Sequence, residues 1–167
     1  MAASGFGPLR TALPWQLDRL ATLGAQVLGV TGVGVMLLDP AGALRPVVSS
    51  DVSGGLLADA QADLGSGPCP DAVATAGSVA VDELGTDPRY GPLAGWLARG
   101  GVRTVASVLS VPVLVAGEAV GGLDAYRDRV EPWSAAARRA VAAYAGLVGL
   151  VLDASTTRAV RLAGGPR

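Results

Sequence analysis

The stretch from Val102 to Tyr126 constrains the fold most. It holds apolar runs at Val102–Val111 and Val113–Ala116, interrupted by Pro112, then a Gly117-Glu118 turn and a third run at Ala119–Tyr126. Apolar segments on either side of so short a turn predict an antiparallel hairpin, and a proline inside one arm marks a place where the ladder lapses. Upstream, Val33–Asp39 is almost wholly apolar and reads as a central strand. Pro40-Ala41-Gly42 then turns it into a second strand at Leu44–Ser50. Ser78–Leu84 alternates and reads as another short strand.

Helical segments surround these strands. Leu13, Leu17, Leu20, Leu23 and Val27 recur at helical spacing, with Pro14 at the start and an end near Leu28. Ser53 is placed to cap a helix through Leu56, Leu57, Ala60 and Leu64, closed by Gly65. In the segment GSGPCPDAVATAG, Pro70 suits the first position of a short helix, with Cys69 as its N-cap and Gly77 as its end. Leu93–Arg99 carries Trp96 and stops at Gly100-Gly101. Pro132 opens a long terminal helix through Ala154. Strand and helix do not alternate as crossover units, so a doubly wound parallel sheet is excluded in favour of an α+β domain with helices segregated on the faces of an antiparallel sheet. The chain of 167 residues suits one such domain, over residues 13–154, after a flexible lead-in at 1–12 and before a tail at 155–167.

Composition removes whole classes of chemistry. The chain has no His, no Lys, no Asn and no Ile, and it has one Cys; all 13 of its cations are Arg. A genome rich in G and C would itself deplete Lys and Asn, but the exclusions hold whatever their origin. Without His there is no Ser-His-Asp or Cys-His dyad, no His-held haem and no His-containing zinc centre. Without Lys there is no Schiff base and no P-loop. One Cys allows no internal disulfide, no CxxC pair and no Cys-rich metal site. The carboxylates Asp82, Glu83 and Asp87 lack the alternation of a calcium loop, and Gly85-Thr86-Asp87-Pro88 reads as a capping turn.

A net charge of −1 with scattered Arg offers no basic stripe for nucleic acid. Mean hydropathy is positive at +0.44, yet the uncharged run Leu20–Leu38 divides into a helix and a strand, and Ala140–Leu152 is too short to span a bilayer. The beginning of the chain does not match a signal peptide. No membrane contact and a cytoplasmic location are expected.

Four motifs in order resemble a GAF domain, a relative of the PAS fold. They are Gly65, Gly67, Pro68, Cys69, Asp71 and Ala72; then Gly101-Val102-Arg103-Thr104; then Ser110-Val111-Pro112-Val113; then Gly117-Glu118 with Gly122-Leu123-Asp124-Ala125-Tyr126. The likeness covers about residues 14–153 and is nearest to the GAF domains of bacterial regulators that carry an ANTAR RNA-binding domain downstream. It implies a central antiparallel sheet, the N- and C-terminal helices on one face, and short helices and loops roofing a pocket on the other. The family's ANTAR domain should follow the last helix, but the chain ends shortly after it, so RNA binding would fall to a separate output protein. Asp124 stands where that group usually has Asn. Bilin-binding members need His, free methionine sulfoxide reductases need a second Cys, and the cyclic-nucleotide signature uses Asn and Lys. The resemblance therefore implies binding and signalling with no haem, bilin or metal and no catalytic residue.

The candidate ligand-binding residues are Cys69, Asp71, Trp96, Arg103, Ser107 and Asp124. Cys69 at a helix N-cap would feel the dipole and gain thiolate character, against which Asp71 works; the alternative is a small buried filler. Asp71 either meets ligand or stabilises its own helix. Arg103 opens a strand, where it clamps an anion or pairs with Asp82 or Glu83. Trp96 anchors its helix or walls the pocket. Asp124 shares parity with Val120, Gly122 and Tyr126 and is either an exposed rung beside Arg127 or a buried group facing a cavity; burial would point to function. The remaining readings are a ligand-free interaction scaffold and a redox sensor or enzyme based on Cys69.

The terminal helix has two apolar stripes: Trp133, Ala137, Val141, Tyr144, Val148 and Val151, and Ala136, Ala140, Ala143, Leu147 and Leu150. The sheet can cover one. A second copy of the chain, joined through the N- and C-terminal helices with Gly146 and Gly149 permitting close approach, would cover the other, so a homodimer is expected.

Overall fold

The computed structural model describes residues 7–163. Five strands form one antiparallel sheet in the order β2-β1-β5-β4-β3, with β1 at Gly32–Leu38, β2 at Leu44–Ser49, β3 at Val79–Val81, β4 at Ser107–Val115 and β5 at Glu118–Arg127. Helices α1 (Gly7–Leu28) and α5 (Ala135–Ala163) lie on one face. Helices α2 (Val52–Leu64), α3 (Pro68–Thr75) and α4 (Gly91–Arg99) lie on the other, α4 entered through a 3-10 turn at Pro88–Tyr90. This is the expected α+β architecture, with helices segregated by face.

Strand parity divides the interior into two cores. Val33 and Val35 of β1, Leu109, Val111 and Val113 of β4, and Leu123 and Ala125 of β5 face Leu17 of α1 and Val141, Ala145, Val148 and Leu152 of α5. Met36, Val108 and Tyr126 point the other way. They meet Leu57, Ala58 and Ala60 of α2, Cys69 of α3, and Leu93 and Leu97 of α4. Alternation with period two, buried on both faces, explains why these strands read as continuous apolar runs.

Several element limits differ from the sequence reading. Helix α1 begins at Gly7, and Pro14 lies inside it, so residues 7–12 of the expected lead-in are helical; residues 1–6 lie outside the described residues. Asp51, not Ser53, caps α2 by accepting from the Gly54 N–H at 2.8 Å. Gly67 is the N-cap of α3, Pro68 its first residue, and Cys69 sits within its first turn; Ala76, at a left-handed φ of 49°, closes it one residue before Gly77. Strand β4 starts only at Ser107 and then runs unbroken through Pro112. At Pro112 it lies beyond the end of β3, which pairs only with Val108–Ser110, and stands opposite Gly122 of β5. The hairpin turn is Ala116-Gly117, both at positive φ (50° and 83°), which is the primed geometry that suits twisted strands. Helix α5 begins at Ala135, after Pro132, and continues past Ala154 to Ala163; residues 164–167 of the expected tail lie outside the described residues.

By length and composition α5 is also apolar enough to cross a membrane, over Ala135–Arg161, in contrast to the short run expected. Its Val141, Ala145, Val148 and Leu152 are core residues against the sheet. Gly149 has a different role from the one expected. A Cβ there would come 2.3 Å from the Leu114 carbonyl oxygen, so the glycine lets α5 approach β4. Gly24 of α1 similarly receives the Tyr144 ring, whose hydroxyl donates to the Leu20 carbonyl at 2.7 Å.

Candidate functional site

Strand β5 places Asp124 on the face covered by α2 and α3, and register sets Ser110 of β4 directly across from it. The carboxylate is 3% exposed. Ser110 Oγ donates to one oxygen, and Gln61 Nε2 of α2 donates to the other at 2.6 Å. Gln61 Oε1 in turn accepts from the Cys69 N–H at 2.8 Å, tying the first turn of α3 to the same cluster. The Cys69 thiol lies against the carboxylate as well. No Arg of the described residues pairs with Asp124. Burial therefore dominates: it pushes Asp124 up to about 6, although its hydrogen-bond donors pull the other way.

Cys69 is fully buried, and its pKa is pushed well above the ordinary thiol value by burial and then by the Asp124 charge. The expected dipole activation is overridden, and the residue is a packed thiol. Its seat requires Gly122, where a Cβ would lie 2.5 Å from Sγ. Asp71 accepts from the Tyr90 hydroxyl at 2.7 Å, so it fixes the 3-10 turn to α3 and stays outside the Asp124 cluster. Trp96 is half-buried against the neighbouring apolar cluster of Val81, Leu93, Leu97 and Tyr126. Tyr126 is itself buried, and its hydroxyl donates to Asp51 at the start of α2.

Two expected site residues are elsewhere. Arg103 is exposed in the loop before β4, where it pairs with neither Asp82 nor Glu83. Asp82 instead accepts from the Trp133 N–H at 3.0 Å, at the foot of α5. Ser107 has the parity of Leu109, so its hydroxyl serves the Arg129 carbonyl on the side away from Asp124. Asp87 caps the 3-10 turn, as the sequence suggested, and the Arg89 side chain holds its carboxyl below the usual range.

The residue that sequence reasoning missed is Gln61. It stands four positions after Leu57 and three before Leu64, on the apolar stripe of α2, and an amide in a stripe position signals a buried polar partner. Beside the cluster, between the β1–β2 turn and the facing ends of α2 and α3, is a cleft of about 340 Å³ lined by Leu44, Gln61, Pro70, Val73 and Ala74 among others. Gln61 thus borders both the cleft and Asp124. No group of acidic or cysteine side chains among the described residues is arranged to hold a metal ion.

An antiparallel sheet with terminal helices on one face and a polar cluster under short helices on the other defines a small α+β domain. The chain belongs to the GAF domain family, whose model matches residues 16–152. None of the curated proteins compared with it matches significantly. Among solved structures it is similar to the GAF domain of an Acinetobacter phosphoenolpyruvate-protein phosphotransferase, with TM-score 0.66 and 19% identity over 95% of this chain and 90% of that one. It is also similar to the third GAF domain of Slr1393 from Synechocystis sp. PCC6803 in its photoproduct state, with TM-score 0.70 and 17% identity over 89% and 98%. A further likeness is the type II free methionine-R-sulfoxide reductase of Thermoplasma acidophilum, with TM-score 0.68 and 19% identity over 86% and 94%. These likenesses establish the fold. GAF domains generally serve signalling or ligand sensing, and some relatives are enzymes.

Proposed function

We propose that this chain is a non-catalytic, cytoplasmic sensory module that binds a small molecule under α2 and α3 and passes the change to α1 and α5. The observation that carries this is Asp124, a buried carboxylate with no paired cation, beside a cleft. Burial of an unpaired charge is expensive, and folds retain such groups mainly where they are used. Catalysis does not enter this reading, because a thiol held protonated in the core is a poor nucleophile. The output would be carried by the outer helices. Leu147 and Leu150 of α5 are 43% and 68% exposed, and Leu23 and Val27 of α1 are 44% and 74% exposed, which leaves an apolar face for a second copy of the chain.

Native mass spectrometry of the purified protein tests both parts. The expected result is a dimer carrying a small molecule that is released on unfolding. A dimer of bare polypeptide that takes up nothing from a metabolite extract would favour the second reading, a ligand-free dimerisation scaffold. That reading has its own support, since Ser110, Gln61 and Cys69 already surround Asp124.

A further inference from the structure

This inference rests on the reading of the α2–α3 face as the sensing site and concerns its regulation. Strand β5 supplies the Asp124 carboxylate. Facing it are Ser110 from β4, Gln61 from α2, Cys69 from α3 and, from β1, Gly34, which has no side chain. Among the described residues the only other titratable group in this cluster is the Cys69 thiol, which burial keeps protonated. The remaining acids of α2 and α3, Asp59, Asp63 and Asp71, are exposed, and Asp71 is engaged by Tyr90.

A charge in this position can regain solvation only if a covering element moves. Helix α3 is the short one, with eight residues, entered at Gly67 (φ +151°) and left at Ala76 in the left-handed region. Two side chains join it to the carboxylate: Gln61, whose amide donates to Asp124 and accepts from the Cys69 N–H, and Cys69 of α3 itself, whose thiol lies against Asp124. Pro70, Val73 and Ala74 of α3 also wall the 340 Å³ cleft, so lifting α3 would open that cleft onto Asp124.

We propose that ionisation of Asp124 decides whether α3 stays seated on the sheet. In the neutral form the acid proton goes to Ser110 Oγ, whose hydroxyl turns to accept it, and the other oxygen keeps the Gln61 N–H. The cover is then closed over a neutral cluster. When the proton leaves to solvent, the carboxylate has no cation within the closed cluster, since Arg45 of β2, which also lines the cleft, is paired with Asp39, and the state in which α3 lifts and water enters gains population. The direction follows from linkage. Closed, the group titrates near 6, and open, it returns toward the ordinary 3.8. Opening therefore becomes roughly 20-fold easier between pH 4.5 and 7.5 and levels off above that range.

The chain's single cysteine reports on this motion directly. The test measures labelling of Cys69 by 4,4′-dithiodipyridine from pH 4.5 to 7.5, divided into the rate for a short peptide of the same local sequence, which cancels the thiol's own pH dependence. Protection should fall roughly 20-fold with rising pH in the native protein and stay flat in Asp124→Asn. Parallel profiles in the two proteins would overturn the proposal. So would labelling at pH 7.5 that follows the global unfolding free energy in low urea, since α3 would then not move on its own. A measurement that needs no variant is carbon NMR of the Asp124 carboxyl with the Cys69 amide. Both should titrate together near pH 6, and an unresponsive Cys69 amide would reject the latch. Neither readout needs a ligand, so absence of ligand binding and absence of the latch are seen separately.

Discussion

In the unfolded chain Asp124 titrates near 3.8, and in the fold near 6. Folding thus favours its protonated form. Its contribution to stability is fully present below pH 4 and is lost as pH rises through 6. Replacing it by Asn removes that loss and leaves an amide that can still donate to Ser110 Oγ and accept from Gln61. Urea unfolding should show Asp124→Asn gaining on the native protein by about 2 kcal/mol more at pH 7.5 than at pH 4.5. A second residue-scale expectation concerns the fit of thiol and glycine. Gly122→Ala would drive a methyl into Cys69 Sγ, 2.5 Å away, at a cost of about 1–3 kcal/mol. Cys69→Ala in the same chain should recover most of it, so a double-mutant cycle with no coupling would refute the contact.

At the scale of elements, the glycines of α5 separate by role. Gly149→Ala should destabilise the protein by about 2 kcal/mol or more, because its Cβ meets backbone that cannot swing aside. Gly146 faces open space, so Gly146→Ala should be neutral or gain up to about 1 kcal/mol from helix propensity. Thermal unfolding should fall clearly in Gly149→Ala and stay level or rise in Gly146→Ala. The sequence made the strands and most helices legible, since Val33–Leu38 and the late hairpin carry their pattern locally. Cap identity was harder, because Asp51 and Ser53 are both good caps and only the backbone chooses between them. Register was hidden too. A two-residue turn pairing Val115 with Glu118 would set Ser110 across from Leu123, but the irregularity at Val113/Leu114 shifts it by one, opposite Asp124. The site was accordingly half visible: Asp124 and Cys69 came from motif and parity, whereas Gln61 needed the tertiary meeting of α2 with β5. Arg103 was misplaced because the start of β4 was set too early, at Val102, and Ser107 because its parity, that of Leu109, turns it away from Asp124.

For the whole molecule, the outer helices leave Leu23, Val27, Leu147 and Leu150 exposed outside both cores. Leu150→Asp on α5 should leave the fold intact, since the side chain is 68% exposed, and should convert a dimer to a monomer in light scattering at micromolar concentration. A native protein that is already monomeric there would overturn the expected homodimer. The foot of α5 is held separately: Asp82 fixes the Trp133 N–H, and the Arg127 guanidinium lies 3.9 Å over the Trp133 ring. The last residue of β5 and the entry to the long helix are thus one packed joint.

Strand β5 also shapes how such a module can change over time. Gly122, Asp124 and Tyr126 face the side covered by α2 and α3, whereas Leu123 and Ala125 face the core under α1 and α5. Under the proposed reading, Asp124 is the position that can change to take a different chemical cue, since Gly122 is fixed by Cys69 and Tyr126 by the core, while the odd positions keep the outer helices as they are. One strand would thereby separate what such a domain recognises from how it reports, and a lineage could exchange one while inheriting the other.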